Sequence, residues 1–147
     1  IKSMRVVLSL LSITIFLAIP KLTLAETIKI EFTDQDSYSI EVALIEAGDT
    51  IEWLPTNEGH NVEFLAGPQL NTLSRKSEIN ALFSVAFKNP GVYLYHCTPH
   101  GNMGMLGLIV VDNDFHNLES VQKVQLSRVS DSVLKRLIRI AQSKTKS

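Results

Sequence analysis

Short stretches of alternating apolar and polar residues follow one another between residues 27 and 111. In TIKIEF (27–32), Ile28, Ile30 and Phe32 lie on one side of an extended chain, opposite Lys29 and Glu31. Alternation with a period of two predicts a half-buried β-strand. Six further stretches are strand candidates: YSIEVALI (38–45), DTIEWL (49–54), NVEFL (61–65), INALFSVAF (79–87), GVYLYH (91–96) and LGLIVV (106–111).

Turn-forming residues separate these candidates, as in the Gly-Pro pair at 67–68 and the Asn-Pro-Gly triplet at 89–91. Many short strands with no long helix among them are typical of an antiparallel β-sandwich or barrel. We expect the inward faces of the second and third candidates to carry Ile40, Val42, Leu44, Ile51 and Trp53.

The apolar period changes to that of a helix after residue 114. A short helix is predicted near residues 118–122. Leu134, Leu137, Ile138 and Ala141 then follow the i, i+3, i+4, i+7 spacing of a second helix, with serines at 130–132 as its N-terminal cap. We therefore predict one domain over residues 26–147, with a β-sandwich over 26–112 and a C-terminal helical extension over 115–147.

The first 25 residues have the features of a cleaved signal peptide. Lys2 and Arg5 precede an apolar run over residues 6–19, and small residues follow up to Ala25. The run is too short to serve as a membrane anchor across roughly 30 Å of hydrocarbon. We therefore expect export to the periplasm and no stable membrane anchor.

The charge of the exported part excludes one class of function. Residues 26–147 hold 11 basic and 15 acidic residues, a formal net charge of −4. Nothing in this distribution resembles the basic footprint of a nucleic-acid-binding domain, so no nucleic-acid partner is expected.

Candidate chemistry is concentrated in residues 97–105. Cys97, the only cysteine, is followed by His100 and Met105 in a C-x2-H-x4-M pattern. A lone cysteine in an exported chain cannot form an internal disulfide, so it is buried, paired with another chain or chemically employed. Thiolate, imidazole and thioether are the ligands of copper electron-transfer sites, in which two histidines and a cysteine are joined by a weak axial methionine.

A second histidine is available in NEGHNVEF, where His60 lies on a turn that enters a strand. Zinc would favour a closed set of cysteine and histidine, and a methionine ligand would be unusual for it. A single cysteine or methionine is more often a packing residue. The joint spacing of these residues favours a copper site over packing alone.

The two segments GHNVEF and YHCTPHGNMGMLGLIVV resemble the cupredoxins, which are small blue-copper electron carriers. Plastocyanins share the C-x2-H-x4-M spacing, but GHNVE, the CTPH…MGM loop and the C-terminal helices make the chain more similar to the pseudoazurin group. The resemblance implies an all-β, cupredoxin-like Greek-key β-sandwich of about eight strands with two C-terminal α-helices. It also implies one Cu(I)/Cu(II) ion per chain, bound by His60, Cys97, His100 and Met105.

The same resemblance implies roles for residues around the metal. Asn61 would tie the two ligand loops together and donate its backbone N–H to the sulfur. Pro99, which has no N–H, would tune the site through its surroundings. Electrons would leave through the edge of His100, within an apolar patch formed with Pro99, Gly101 and Met103.

These expectations describe a monomeric, non-enzymatic electron carrier that docks at the His100 patch to an exported redox enzyme. A copper nitrite reductase is the partner that the resemblance favours. Pseudoazurins usually carry lysine at the positions of Glu58 and His96, so we expect a less positive docking surface here.

Two alternatives stay open. The Tyr-His-Cys sequence also occurs in copper oxidoreductases, where the position of His96 binds a second copper. Only His96 and His116 remain for such a centre, and those enzymes are longer. The second alternative is copper storage or delivery, for which a rigid thiolate site is poorly suited.

Overall fold

The computed structural model describes residues 17–20 and 22–144. The predicted signal peptide therefore lies mostly outside the described residues. Its described parts, 17–20 and 22–25, are exposed and have no regular secondary structure. Within the described ranges, no helix is long and apolar enough to cross a membrane.

Two β-sheets form a sandwich. The strands of the described residues are β1 (Thr27–Glu31), β2 (Val42–Ile45), β3 (Thr50–Leu54), β4 (Glu63–Ala66), β5 (Phe83–Ala86), β6 (Gly91–His96) and β7 (Leu106–Val111). One sheet has the order β1-β3-β5 and the other β2-β7-β6-β4. Side chains from both sheets, such as Trp53 and Tyr95, share one buried cluster, so the sheets pack face to face. The all-β sandwich expected from the sequence is confirmed.

Both sheets are mixed, which corrects the expectation of a wholly antiparallel sandwich. β1 pairs with β3 in parallel, and β2 pairs with β7 in parallel, whereas the other pairs are antiparallel. The chain leaves the first sheet after β1, forms β2 in the second sheet and returns as β3. Because it crosses between the sheets twice, β1 and β3 run in the same direction.

The second strand is shorter than its alternating pattern suggests. Between residues 38 and 41 the described chain makes only an isolated bridge from Phe32 to Tyr38, which leaves seven full strands. The predicted inward face of this segment is also wrong. Ala43 and Ile45 enter the core between the sheets, while Leu44 is 40% exposed. In contrast, Ile51 and Trp53 of β3 are fully buried, as expected.

The two C-terminal helices are α1 (Leu118–Gln122) and α2 (Arg128–Lys144), and they cover the outer face of the second sheet. The four predicted apolar positions of α2 are buried in a cluster with Leu108 and Val110 of β7. The helix begins earlier than predicted. Its cap is Ser127, whose hydroxyl accepts the backbone N–H of Ser130 at 3.1 Å.

Aromatic packing supports the end of β6. Tyr95 is fully buried, and its ring lies edge-on to those of Trp53 and Phe64 at centroid distances of 5.2 and 5.9 Å. Gly107 lies opposite Tyr95 in the β6–β7 pair, and a Cβ there would overlap the tyrosine ring. Close packing of this kind fixes the strand that leads directly into Cys97.

Candidate metal centre

The candidate ligands meet at one end of the sandwich, where the β6–β7 connection faces the residues before β4. The connection folds back on itself through backbone hydrogen bonds. The Cys97 N–H donates to the Met105 carbonyl at 3.1 Å, and the Met105 N–H donates to the His100 carbonyl at 3.3 Å. A 3₁₀ turn over Gly101–Met103 completes the loop.

Three donor atoms form a small triangle. The Nδ1 atoms of His60 and His100 are 3.1 Å apart, and they lie 3.8 and 3.4 Å from the sulfur of Cys97. A point equidistant from the three atoms lies about 2.0 Å from each, close to the roughly 2.0–2.3 Å of metal bonds to imidazole nitrogen and thiolate sulfur. The residues therefore fit a single metal ion.

The site is closed except at one edge. His60, Cys97 and Met105 are at most 3% exposed, whereas the side chain of His100 is 22% exposed. Met105 belongs to the same buried cluster as Cys97. An ion held by the triangle would be shielded from water, and only the His100 ring would connect it to the surface.

Burial sets the protonation of the donor groups. It raises the pKa of the Cys97 thiol, although the backbone N–H groups of Asn61 and His100 hydrogen-bond the sulfur and oppose this shift. Burial also lowers the pKa of His60, as does the neighbouring His100, while Asp36 acts in the opposite direction. His60 is therefore a neutral donor at pH 7, and the thiol proton must leave when a metal binds.

Asn61 joins the two ligand segments. Its Nδ2 donates to the Thr98 hydroxyl at 2.9 Å, and its Oδ1 accepts the Thr98 backbone N–H at 2.7 Å. Nδ2 also approaches the Ser77 carbonyl at 3.3 Å, and the Tyr38 hydroxyl donates to the Asn61 carbonyl at 2.8 Å. These bonds connect the segment that carries His60 with the segment that carries Cys97.

The start of α2 holds the other side of the metal loop, a contact that the sequence does not indicate. The Ser127 hydroxyl donates to the Asn102 carbonyl at 2.7 Å, and the Ser130 hydroxyl donates to the Gly101 carbonyl. A serine near the start of a helix predicts only an N-terminal cap, so the local sequence gives no indication of these two partners.

Asp36 was also missed. Its Oδ1 lies 3.6 Å from Nε2 of His60 and 3.9 Å from Nε2 of His100. A polar turn rich in Asp and Ser is common at protein surfaces, so the sequence gives no reason to place this carboxylate at the site.

His96 is held by a carboxylate. Its Nε2 lies 2.7 Å from Oε1 of Glu63, and Lys76 lies 3.6 Å from the other oxygen. The hydrogen bond with His96 is the main reason why the pKa of Glu63 is below its usual range. In the described part of the chain, the one cluster of three His, Cys, Asp or Glu side chains able to hold a metal is His60, Cys97 and His100.

The predicted apolar patch is only partly as expected. Pro99 is exposed, and Met103 is 62% exposed. Gly101 is buried, because its backbone lies against the His96 ring, where a Cβ would not fit. Val129 of α2, 55% exposed, lies beside the loop at Gly104 and extends the apolar surface.

A family model described as copper binding proteins, plastocyanin/azurin family, matches residues 25–112. The chain therefore belongs to this family of copper-binding proteins. Together with the donor triangle, membership indicates one copper ion per chain.

Within the family, the chain is similar to pseudoazurins, which confirms the finer resemblance. It is 39% identical over 94 residues to a putative pseudoazurin of Rhizobium leguminosarum bv. viciae, covering 63% of this chain and 60% of that protein. It is 36% identical over 91 residues to the pseudoazurin of Methylorubrum extorquens, and the match covers 61% of this chain and 62% of that protein. The matched regions thus span about 60% of the length of these curated relatives.

Solved pseudoazurins share the fold over more of the chain. The pseudoazurin of Sinorhizobium meliloti superposes with a TM-score of 0.69 at 29% identity, covering 76% of this chain and 93% of that one. The pseudoazurin of Methylobacterium extorquens gives a TM-score of 0.67 at 27% identity, covering 78% and 98%. The sandwich is therefore a cupredoxin fold.

Proposed function

We propose that the protein is an exported blue-copper electron carrier that exchanges single electrons with a redox partner. In this proposal His60, Cys97 and His100 would bind copper, and the Met105 thioether would be the weak fourth donor. The donor triangle carries the proposal. Its size suits one ion, and its two imidazole nitrogens and one cysteine sulfur are the donor set of copper electron-transfer sites.

Copper bound there would supply a one-electron couple between Cu(I) and Cu(II). The protein's own residues supply the rest. The Asn61–Thr98 bonds hold the donors at fixed separations, so that little rearrangement accompanies a change in oxidation state. Pro99 is proposed to tune the site from the loop, because it offers no N–H to the sulfur.

The exposed edge of His100 is the proposed exit for electrons. Pro99, Met103 and Val129 give this edge an apolar border on which a partner can dock. A carrier needs a short-lived complex, and a small contact steered by charge meets that need. We propose that the partner is an exported redox enzyme, such as a copper nitrite reductase, and that the carrier is a monomer.

The proposed location is the periplasm, reached with a signal peptide within residues 1–25 that is then removed. The mature protein would be one domain over residues 26–147. In it, the sandwich (26–112) supplies the ligands, and the helical extension (115–147) supports the metal loop through Ser127 and Ser130.

The visible and paramagnetic resonance spectra of the Cu(II)-loaded protein test this function. We expect an intense thiolate-to-copper band and a narrow copper hyperfine splitting. Cys97→Ser should lose the band and stay folded, because serine is close in size to cysteine. Ser132→Ala, on the exposed face of α2, is the control that should keep the band. A colourless one-to-one copper complex of the unmodified protein would rule out the proposal.

The two alternatives have less support. An oxidoreductase with a second copper at His96 would need further ligands, yet the Nε2 atom of His96 faces Glu63 at 2.7 Å. Copper storage or delivery would require easy release, which a closed and braced site opposes. Repeated reduction and oxidation, compared with the rate of copper dissociation, distinguishes a carrier from a delivery protein.

A further inference from the structure

One carboxylate oxygen faces both candidate histidine ligands. Oδ1 of Asp36 lies 3.6 Å from Nε2 of His60 and 3.9 Å from Nε2 of His100. The Nδ1 atoms of the same two rings converge on the metal position. In each neutral, metal-binding ring, Nε2 therefore carries the hydrogen and presents an N–H edge to Asp36.

The turn that carries Asp36 is held in place by its own hydrogen bonds. The Thr33 and Ser37 hydroxyls are 2.6 Å apart, and the Thr33 N–H donates to the Ser37 carbonyl at 2.9 Å. Asp36 itself is in the left-handed region at a φ of 53°, which Asp and Asn tolerate better than most residues. The backbone of the turn thus fixes the point from which the short Asp36 side chain extends toward the two rings.

The turn is also anchored to the site. Phe32, which precedes it, packs edge-on against His60 at a centroid distance of 5.9 Å. Tyr38, which follows it, donates its hydroxyl to the carbonyl of Asn61. The two ends of the turn therefore contact His60 and its neighbour Asn61, which keeps the turn beside the candidate ligands.

We propose that Asp36 sets both the reduction potential of this copper site and the charge of the partner that it accepts. The inference rests on the proposed electron-carrier function. A negative charge beside both ligand rings stabilises the oxidised site, which carries one more positive charge than the reduced site, and so lowers the potential. Because Asp36 is 52% exposed next to the His100 edge, it also makes the electron exit anionic.

The neighbouring charges add to this effect. Glu58 and Glu78 are exposed, and Glu78 lines a groove beside Pro99. Lys76, in the same groove, lies 3.6 Å from Glu63 and is partly neutralised by it. Arg128, the first residue of α2, is an exposed cation that follows Ser127, whose hydroxyl binds the Asn102 carbonyl of the loop. The partner that this surface fits is a redox protein whose docking face is basic.

The test compares Asp36→Asn with Asp34→Asn in the copper-loaded protein. Asparagine has the shape of aspartate and tolerates the left-handed backbone, so Asp36→Asn removes the charge and leaves the turn intact. Asp34 is exposed in the same turn, and its replacement removes the same charge elsewhere.

The first measurement is the reduction potential at low ionic strength. We expect Asp36→Asn to raise the ratio of reduced to oxidised protein three- to tenfold, which is an increase in reduction potential of about 30–60 mV at 59 mV per tenfold. Asp34→Asn should change the potential much less.

The second measurement uses two small oxidants, anionic hexacyanoferrate(III) and cationic tris(phenanthroline)cobalt(III). Each takes one electron from the reduced protein and becomes the iron(II) or cobalt(II) complex, with no proton transferred. The ratio of the two rate constants largely cancels any change in driving force. We expect Asp36→Asn to raise the ratio of the hexacyanoferrate rate to the cobalt rate about threefold or more, and added salt to remove the difference.

The outcomes separate the inference from the function. If Asp36→Asn is blue but has the potential and rate ratio of the unmodified protein, the inference is wrong and the electron-carrier function stands. An equal response of Asp34→Asn would also overturn it, because the effect would then be one of net charge. If the unmodified protein lacks the blue band, the proposed function itself fails.

Discussion

Asn61 and Thr98 bind each other through two hydrogen bonds, although 37 residues separate them along the chain. One bond runs from the Asn61 amide to the Thr98 hydroxyl, and the other from the Thr98 backbone to the Asn61 amide oxygen. Because Asn61 follows His60 and Thr98 follows Cys97, this pair fixes the separation of two candidate ligands.

We expect Asn61→Ala to destabilise the protein by roughly 2–4 kcal/mol, because it removes three hydrogen bonds of a buried side chain and leaves the Ser77 carbonyl without this partner. Copper should also dissociate faster, since the two ligand segments are no longer tied. Denaturant unfolding and the decay of the blue band during transfer to a chelator measure the two effects. Asn102→Ala, on the exposed surface of the metal loop, is the control. Equal stability of both variants would show that the tie is unimportant.

The contact between α2 and the metal loop gives a second prediction. Ser130→Ala removes the hydroxyl that binds the Gly101 carbonyl and should cost about 1–2 kcal/mol in the free energy of unfolding. It should also change the paramagnetic resonance spectrum of the Cu(II) protein, because His100 adjoins Gly101. Ser132→Ala, exposed on the same helix, should stay within about 0.5 kcal/mol and keep the spectrum. A spectrum unchanged by Ser130→Ala would contradict the proposed support.

The Glu63–His96 pair predicts a pH dependence of stability. The pKa of Glu63 in the folded protein lies below its ordinary value of 4.5, chiefly because of the hydrogen bond with His96. The contribution of ionised Glu63 to the free energy of unfolding is therefore complete above about pH 4.5. It is lost as the pH falls through the lower pKa of the folded protein. Glu63→Gln should reduce the pH-dependent part of the free energy of unfolding by at most about 1 kcal/mol, since the pair is partly exposed and screened.

The free energy of unfolding between about pH 3 and 7 measures this effect. Glu31→Gln is the matched control, because Glu31 is exposed and lies on β1 in the other sheet. Identical pH slopes for Glu63→Gln and the unmodified protein would count against the pair.

Metal loading should release a proton from Cys97. Burial raises the pKa of this thiol, so the metal-free protein holds the proton at neutral pH, whereas the bound form is a thiolate. Apparent copper affinity should therefore rise about tenfold per pH unit until the thiol pKa is passed. We expect about one proton per copper near pH 7.5, measured by calorimetry in buffers of different ionisation enthalpy, and none for Cys97→Ser. No release from the unmodified protein would mean that the thiolate already exists without metal.

The sequence predicted the elements whose signals are local. Alternation identified the β3 and β6 regions, and helical spacing identified the buried face of α2. The C-x2-H-x4-M pattern also lies within one loop, so its residues could be grouped without knowledge of the fold. His60 could be added only through its residue type and the family resemblance, because its approach to Cys97 depends on tertiary structure.

The features that were missed depend on contacts between distant segments. Parallel pairing of β2 with β7 joins residues more than 60 positions apart, and α2 then covers Val42 rather than Leu44. Likewise, Ser130 meets Gly101 across 29 residues, and Asp36 meets two histidines from a turn of ordinary composition. Alternation and turn propensity contain no information on such partners.

The spacing of the ligands also has a consequence for the unfolded chain. Cys97, His100 and Met105 lie within nine residues, so a denatured or newly synthesised chain already presents three of its four proposed ligands together. Such a chain can bind copper before the sandwich forms, and metal affinity of the unfolded state subtracts from the stabilisation that copper gives to the native state. Copper should therefore raise the melting temperature by less than its affinity for the folded site alone would imply. The increase in melting temperature that remains measures the contribution of His60, because only folding brings this residue to the other ligands.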